Sequence, residues 1–201
     1  MLLDPTRLPT LILASQSPRR AQLLERLGLP FQSRPAHLDE EALDSLPAEE
    51  LARTLALHKA QAVWRPGEWV VAADTVVALG EELLGKPGSV AENRAFLERL
   101  SGQTHTVFTG LTLILPSGKV EALVDAARVR FRALEDWEIE WYASSGEGLD
   151  KAGGYGVQER GMVLVDAVEG DFYTVMGLPV RRLWQVLARR GYFRGGESDA
   201  A

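Results

Sequence analysis

The sequence contains no cysteine among its 201 residues. Disulfides and thiolate metal sites are therefore excluded, and a reducing, cytoplasmic setting is expected. Histidine is nearly as scarce. His37, His58 and His105 show none of the spacings that gather imidazoles around a metal. No apolar run approaches the length that crosses a bilayer. The stretch MLLDPTRLP carries an early Asp and no long apolar segment, so a secretory leader is not expected either.

Lysine is also avoided. The 22 basic residues include only Lys59, Lys86, Lys119 and Lys151, and the rest are arginine. In such a chain a retained lysine marks a place for a compact ammonium, with chance as the bland alternative. Asn93 is the only asparagine, which fits a hot-growing source or a biased genome equally. The net charge of -6 argues against general nucleic-acid binding, where phosphate neutralisation dominates affinity.

What is present is a 46% hydrophobic chain without repeats or low-complexity linkers. That is enough for one domain over residues 1–190, read as two lobes sharing a sheet with a cleft between them. Residues 191–201 read as a disordered tail. Helical and strand patterns alternate. Strands are expected at 10–14, 31–35, 68–79, 104–115, 119–132 and 161–167, with a short extended piece after Gly80. Helices are expected at 18–27, 47–63, 90–100, 134–143 and 180–190. Residues 36–46 read as an acidic loop, and DFYTVMGLP (171–179) as a loop. Pro116-Ser117-Gly118 joins two long β segments as a hairpin turn. The fold class is α/β with an elongated mixed sheet flanked by helices.

Four features carry chemistry. The first is LILASQSPRRAQLLERLG (11–28), a strand, a polar loop and a helix start. Ser17-Pro18 caps the helix, but two arginines in its first turn oppose the dipole. Either Arg19 and Arg20 are solvated, or they await an anion that the helix end also attracts. Backbone amides from Ser15 to Arg19, the hydroxyls of Ser15 and Ser17, and the two guanidinium groups would then form a phosphate cradle. The second is Asp74 in VVAADTVVAL, a carboxylate among apolar neighbours that interrupts the expected strand together with Thr75. An unpaired buried charge is costly, so Asp74 either bonds to backbone or serves as a metal ligand or general base.

The third is the set of cations on constrained backbone: Lys59 on a helix, Lys86 in Gly-Lys-Pro, and Lys151 before a Gly-Gly turn. In the same Gly-rich loop, Tyr155 could flank a base and Gln158 could read its edge. The fourth is the acidic HLDEEALD, from which Glu40 could join Asp74 around a divalent cation shared with substrate phosphates. His105 is expected to make a structural contact with a carboxylate or hydroxyl. Together these features suggest a nucleoside polyphosphate, whose hydrolysis rests on positioning and electrostatics.

The segments LASQSPRR, AADTVV, GKP, SGQTHTVFTG, SGEGLDKAGGYGVQ and GLP follow one another as in the Maf family, over residues 10–188. The resemblance implies a nucleoside triphosphate pyrophosphatase using Mg2+ or Mn2+, with a fold similar to the inosine triphosphate pyrophosphatases. It implies Asp74 as general base and metal ligand with Glu40. It implies Ser15, Arg19, Arg20, Glu40, Lys59 and Lys86 around the triphosphate, and Arg19, Thr75 and Gln158 in substrate choice. KAGGYGVQ resembles the branch acting on dTTP and UTP, with base-modified pyrimidines also in range and a homodimer plausible. Two positions depart from the family pattern near the expected base pocket: Glu159-Arg160 where glycine usually follows the Gln, and Thr174 where Asn is common. Three other readings stand beside this one: a 7-methyl-GTP pyrophosphatase, a nucleotidyltransferase, and a non-catalytic nucleotide-binding regulator of septum formation. A carboxylate beside a triphosphate argues against the last.

Overall fold

The computed structural model describes residues 7–36 and 46–194. The expected acidic loop lies almost wholly outside them, and the C-terminal tail mostly does. Among the described residues seven strands form one mixed sheet. They are β1 (Leu11–Leu13), β2 (Phe31–Ser33), β3 (Trp69–Leu79), β4 (Glu82–Leu84), β5 (Thr104–Ile114), β6 (Val120–Phe131) and β7 (Val165–Glu169). The order is β2-β1-β3-β5-β6-β7, with β4 also paired to β3. β1 lies parallel to β2 and β3, and the other pairs are antiparallel. Among the described residues six α-helices flank the sheet: α1 (Pro18–Arg26), α2 (Ala48–Val63), α3 (Val90–Leu100), α4 (Asp136–Ser144), α5 (Phe172–Met176) and α6 (Val180–Arg189). The α/β class and the mixed sheet agree with the sequence reading.

Side chains alternate across the sheet, as strand geometry requires. On one face Leu11 and Leu13 of β1 and Trp69, Val71, Ala73 and Val77 of β3 join the main core with α1, α3, α4 and α6. On the other face Ile12, Val70, Ala72 and Ile114 pack on Ala60 and Val63 of α2. Val76 packs on Leu51, Ala52 and Leu55 of the same helix. Both faces of β3 are therefore covered, which explains its nearly unbroken apolar sequence.

Ser17 caps α1, accepting from the Arg20 amide at 3.5 Å, and Gly28 ends the turn after it with φ +67°. Gly118, at φ +90°, closes the β5–β6 hairpin, as expected. Four expectations are overturned. Within the expected disordered tail, Tyr192–Arg194 form a 3-10 turn, and Tyr192 is fully buried and donates to Pro9 O at 2.6 Å. β3 is not interrupted at Asp74-Thr75, because β5 pairs with it continuously from Val70 to Ala78. The segment expected as a strand from Gly161 is instead a 3-10 turn over Arg160–Val163, tied down by Glu147, and the strand begins at Val165. DFYTVMGLP is not a loop. Asp171 caps a short helix, accepting from the Tyr173 amide at 2.9 Å, and Gly177 at φ +102° terminates it.

Candidate active site

The opposite edge of β3 is where a gap occurs. β1 pairs with residues 69–71 and β4 with residues 77–79, so no described strand covers residues 72–76 on that side. A cleft of about 1050 Å³ opens at this gap. Asp74 and Thr75 lie at its centre, on opposite faces of the sheet. Loops after β1 and β4, the Gly-rich loop and the end of α5 complete the walls.

Asp74 faces α2. Its cross-strand partner is Gly110, where a Cβ would collide with the carbonyl of Ala52. The glycine lets α2 lie close to the sheet, and two turns later Lys59 reaches the Asp74 carboxylate. Lys59 Nζ is in direct contact with Asp74 Oδ1, and both side chains are largely buried, 17% and 13% exposed. The pairing offsets the cost of a carboxylate in an apolar strand. Asp74 Oδ2 has no hydrogen-bond partner among the described residues.

Thr75 faces α1 and α5. Arg20 donates to three acceptors: Nε to Gly177 O at 2.7 Å, one terminal nitrogen to Ser15 Oγ at 3.2 Å, and the other to Thr75 Oγ1 at 3.2 Å. A Cβ on Gly177 would lie 3.1 Å from Thr75 Oγ1, so the GLP segment makes room for this contact. Arg19 is half-buried in the cleft wall, and Lys86 is exposed at its rim. The amide cradle is smaller than expected. Ser15 N donates to Leu13 O, Ser17 N donates to Ser15 Oγ, and Pro18 has no N–H. Among the described residues, nothing accepts from the amides of Gln16 and Arg19.

The Gly-rich loop forms the far wall. Lys151 is buried, and its ammonium donates to Glu147 O at 2.5 Å and Asp150 Oδ1 at 2.8 Å, with Glu159 Oε2 at 3.4 Å. It staples the loop instead of waiting for phosphate. Burial works against charge on Asp150, but the Lys151 hydrogen bond and charge, with the charge of Arg19, hold its carboxyl below the usual range. Glu147, which sequence reading passed over, accepts from Tyr142 Oη at 2.9 Å and from the amides of Arg160 and Gly161 at 3.1 and 3.2 Å. Asn93, the sole asparagine, is fully buried and donates to Gly154 O at 2.7 Å.

The cleft brings together Ser15, Arg19, Arg20, Lys59, Asp74, Thr75 and Lys86. Glu40 and His37 lie outside the described residues. Gln158 does not line the cleft. Its Nε2 is 3.4 Å from Glu159 Oε1, and its own Oε1 is buried without a partner among the described residues. Tyr155 reaches the cleft but is 5% exposed and packs edge-on against His105 and Phe131, so it is not free to stack on a base. His105 makes the expected hydroxyl contact, Nε2 to Tyr155 Oη at 2.7 Å, and burial lowers its pKa to about 4. Of the two departures from the family pattern, only Glu159 lines the cleft. Thr174 is fully buried, and its hydroxyl donates to Asp125 Oδ2 at 3.0 Å, away from the site.

Among the described residues no three carboxylate or imidazole groups converge as a metal cage. Hard divalent ions commonly bind through one or two carboxylates plus substrate phosphates. Asp74 Oδ2 has the donor chemistry for that arrangement. No described helix is long and apolar enough to cross a membrane.

The architecture is that of an α/β protein with a single mixed sheet and a polar cleft at a break along one strand edge. The solved Ham1 protein of Staphylococcus aureus shares this fold, with a TM-score of 0.51 over 89% of this chain and 98% of that one at 12% identity. The model of the Maf-like protein family matches residues 10–190, and the chain belongs to that family. It is similar to a protein of Thermus thermophilus named dTTP/UTP pyrophosphatase, 55% identical over 184 residues, covering 92% of this chain and 96% of that one. A Deinococcus radiodurans protein of the same name is 48% identical over 185 residues, covering 91% and 94%.

Proposed function

We propose that this chain hydrolyses pyrimidine nucleoside triphosphates, dTTP and UTP, to the monophosphate and pyrophosphate. The observation that carries the reading is the meeting of Asp74 and Arg20 at one break in the sheet. Arg20 is hydrogen-bonded to Thr75, the residue next to Asp74, while Lys59 holds Asp74 from the other face. The relatives named dTTP/UTP pyrophosphatase at 55% and 48% identity support the choice of substrate. A volume near 1050 Å³ suits a ligand of nucleotide size.

In this reading Arg19, Arg20, Lys86 and the amides of Gln16 and Arg19 hold the phosphate chain. Lys59 fixes one Asp74 oxygen, so the other is presented to water. Water attacks phosphorus at the α–β anhydride, the bridging P–O bond breaks, and its electrons leave on a phosphate oxygen as Asp74 takes the water proton. A Mg2+ or Mn2+ ion, held by Asp74 with Glu40 and the phosphates, would supply charge neutralisation. Glu159 stands where the loop meets the base, with Gln158 behind it against the Glu159 carboxylate.

The test is pyrophosphate release from dTTP, UTP, CTP and 7-methyl-GTP with either metal. Release from dTTP and UTP above the others is expected. Nucleotide binding without release from any of them overturns the enzymatic reading and favours a binding regulator. Preference for 7-methyl-GTP overturns the substrate.

A further inference from the structure

We propose that Thr109 is a positioning residue: its hydroxyl fixes that of Thr75, and through it the Arg20 guanidinium. The proposal rests on the reading of Arg20 as a phosphate ligand. Thr109 lies on β5, directly across from Thr75, fully buried and outside the cleft lining. Its Oγ1 is 2.8 Å from the carbonyl oxygen of Thr174 and 3.0 Å from Thr75 Oγ1.

A hydroxyl has one hydrogen. A carbonyl can only accept, so the Thr109 hydrogen is committed to Thr174 O. The short contact with Thr75 must then be filled by the Thr75 hydrogen. Thr75 Oγ1 in turn accepts from Arg20 at 3.2 Å. Every proton in the chain from Arg20 to Thr75, Thr109 and Thr174 O therefore points one way. Thr75 offers a ligand an acceptor and no donor. Arg20 is held at both ends of the same structure, because Gly177, three residues beyond Thr174, accepts from its Nε at 2.7 Å. Helix α5 thus sets the guanidinium directly through Gly177 and indirectly through Thr109. Such preorganisation lowers the ordering cost of binding a polyphosphate.

Removing the Thr109 hydroxyl frees the Thr75 hydrogen to rotate and loosens the Arg20 clamp. Arg20 would hold phosphate in ground and transition states alike, so KM should rise while kcat stays nearly constant. The experiment compares wild type, Thr109→Val, Thr109→Ser, Thr75→Val and the Thr75→Val/Thr109→Val double variant. One readout is kcat and KM for dTTP, and the other is calorimetric Kd for inorganic tripolyphosphate. Thr109→Val is expected to raise both KM and Kd about tenfold, the net worth of one hydrogen bond. Thr109→Ser should restore both. In the Thr75→Val background, Thr109→Val should add nothing.

Unchanged Kd in Thr109→Val, failure of serine to rescue, or additive effects in the double variant would each overturn the relay. Absence of dTTP turnover in wild type would overturn the proposed function instead, and tripolyphosphate binding would still decide the relay. Should Thr109→Val not fold, Thr109→Cys, with a weak donor of similar size, serves the same comparison with a smaller rise expected.

Discussion

Gly110 stands directly opposite Asp74 in the antiparallel register of β3 and β5, and any side chain there would run into the carbonyl of Ala52 on α2. The glycine sets the distance between helix and sheet, and that distance lets Lys59 reach Asp74. Gly110→Ala should lift α2, cost about 3 kcal/mol of stability through overpacking, and break the ion pair. Denaturant unfolding and dTTP turnover measured together check this. A variant as stable and active as wild type would show that α2 adjusts freely.

Asp74→Asn keeps the shape of the side chain and a hydrogen-bond acceptor for Lys59 but removes the proton acceptor. Turnover of dTTP should fall by roughly 10³-fold, within the range of general-base removal. Nucleotide affinity should change much less. Equilibrium binding beside single-turnover rates separates the two. Equal loss in both would assign Asp74 to binding alone.

His105 gives stability a pH dependence. Burial lowers its pKa to about 4 in the folded protein, against 6.5 for the free group. Between these values the unfolded chain binds more protons, so stability rises with pH and levels off above about 6.5. The difference corresponds to about 3 kcal/mol lost on acidification to pH 4. Asp150, whose carboxyl is held low, adds to the loss only as the pH falls further, through the carboxylate range. Urea unfolding between pH 4 and 8 checks the slope, and Tyr155→Phe should keep it, since desolvation is the cause.

Glu147→Ala removes the acceptor for Tyr142 and for the amides of Arg160 and Gly161. A stability loss of about 2 kcal/mol is expected from these unsatisfied donors, with KM rising more than kcat falls. Protection of the 156–161 amides against hydrogen exchange should drop selectively. Uniform loss of protection would point to a global effect.

The two departures from the family pattern should separate cleanly. Glu159→Gly changes a cleft residue that also touches Lys151, and the ratio of dTTP to CTP turnover should shift severalfold. Thr174→Asn changes a buried side chain directed at Asp125, away from the cleft, so that ratio should stay within about twofold, under about 0.5 kcal/mol between the two substrates. Activity ratios for both variants decide the matter.

The sequence by itself determined the α/β class, most helix and strand positions, the Ser17 cap, the hairpin turn and most of the charged residues that line the cleft, Asp150 excepted. These follow from local periodicity and from residue types that are costly in apolar surroundings, as at Asp74. Only the tertiary structure decided how those residues are used. The expected break at Asp74-Thr75 is a break in the strands beside β3, not in β3 itself, because pairing with β5 is a long-range property. Lys151 reads locally like Lys86, yet one is a buried staple and the other an exposed cation at the cleft rim. Thr109 and Gly110 act through partners distant in sequence, and Glu147 through backbone amides that only the folded loop turns toward it, so no local pattern marks them. Hydrogen-bond direction and close approach of backbones exist only once the chain has brought those partners together.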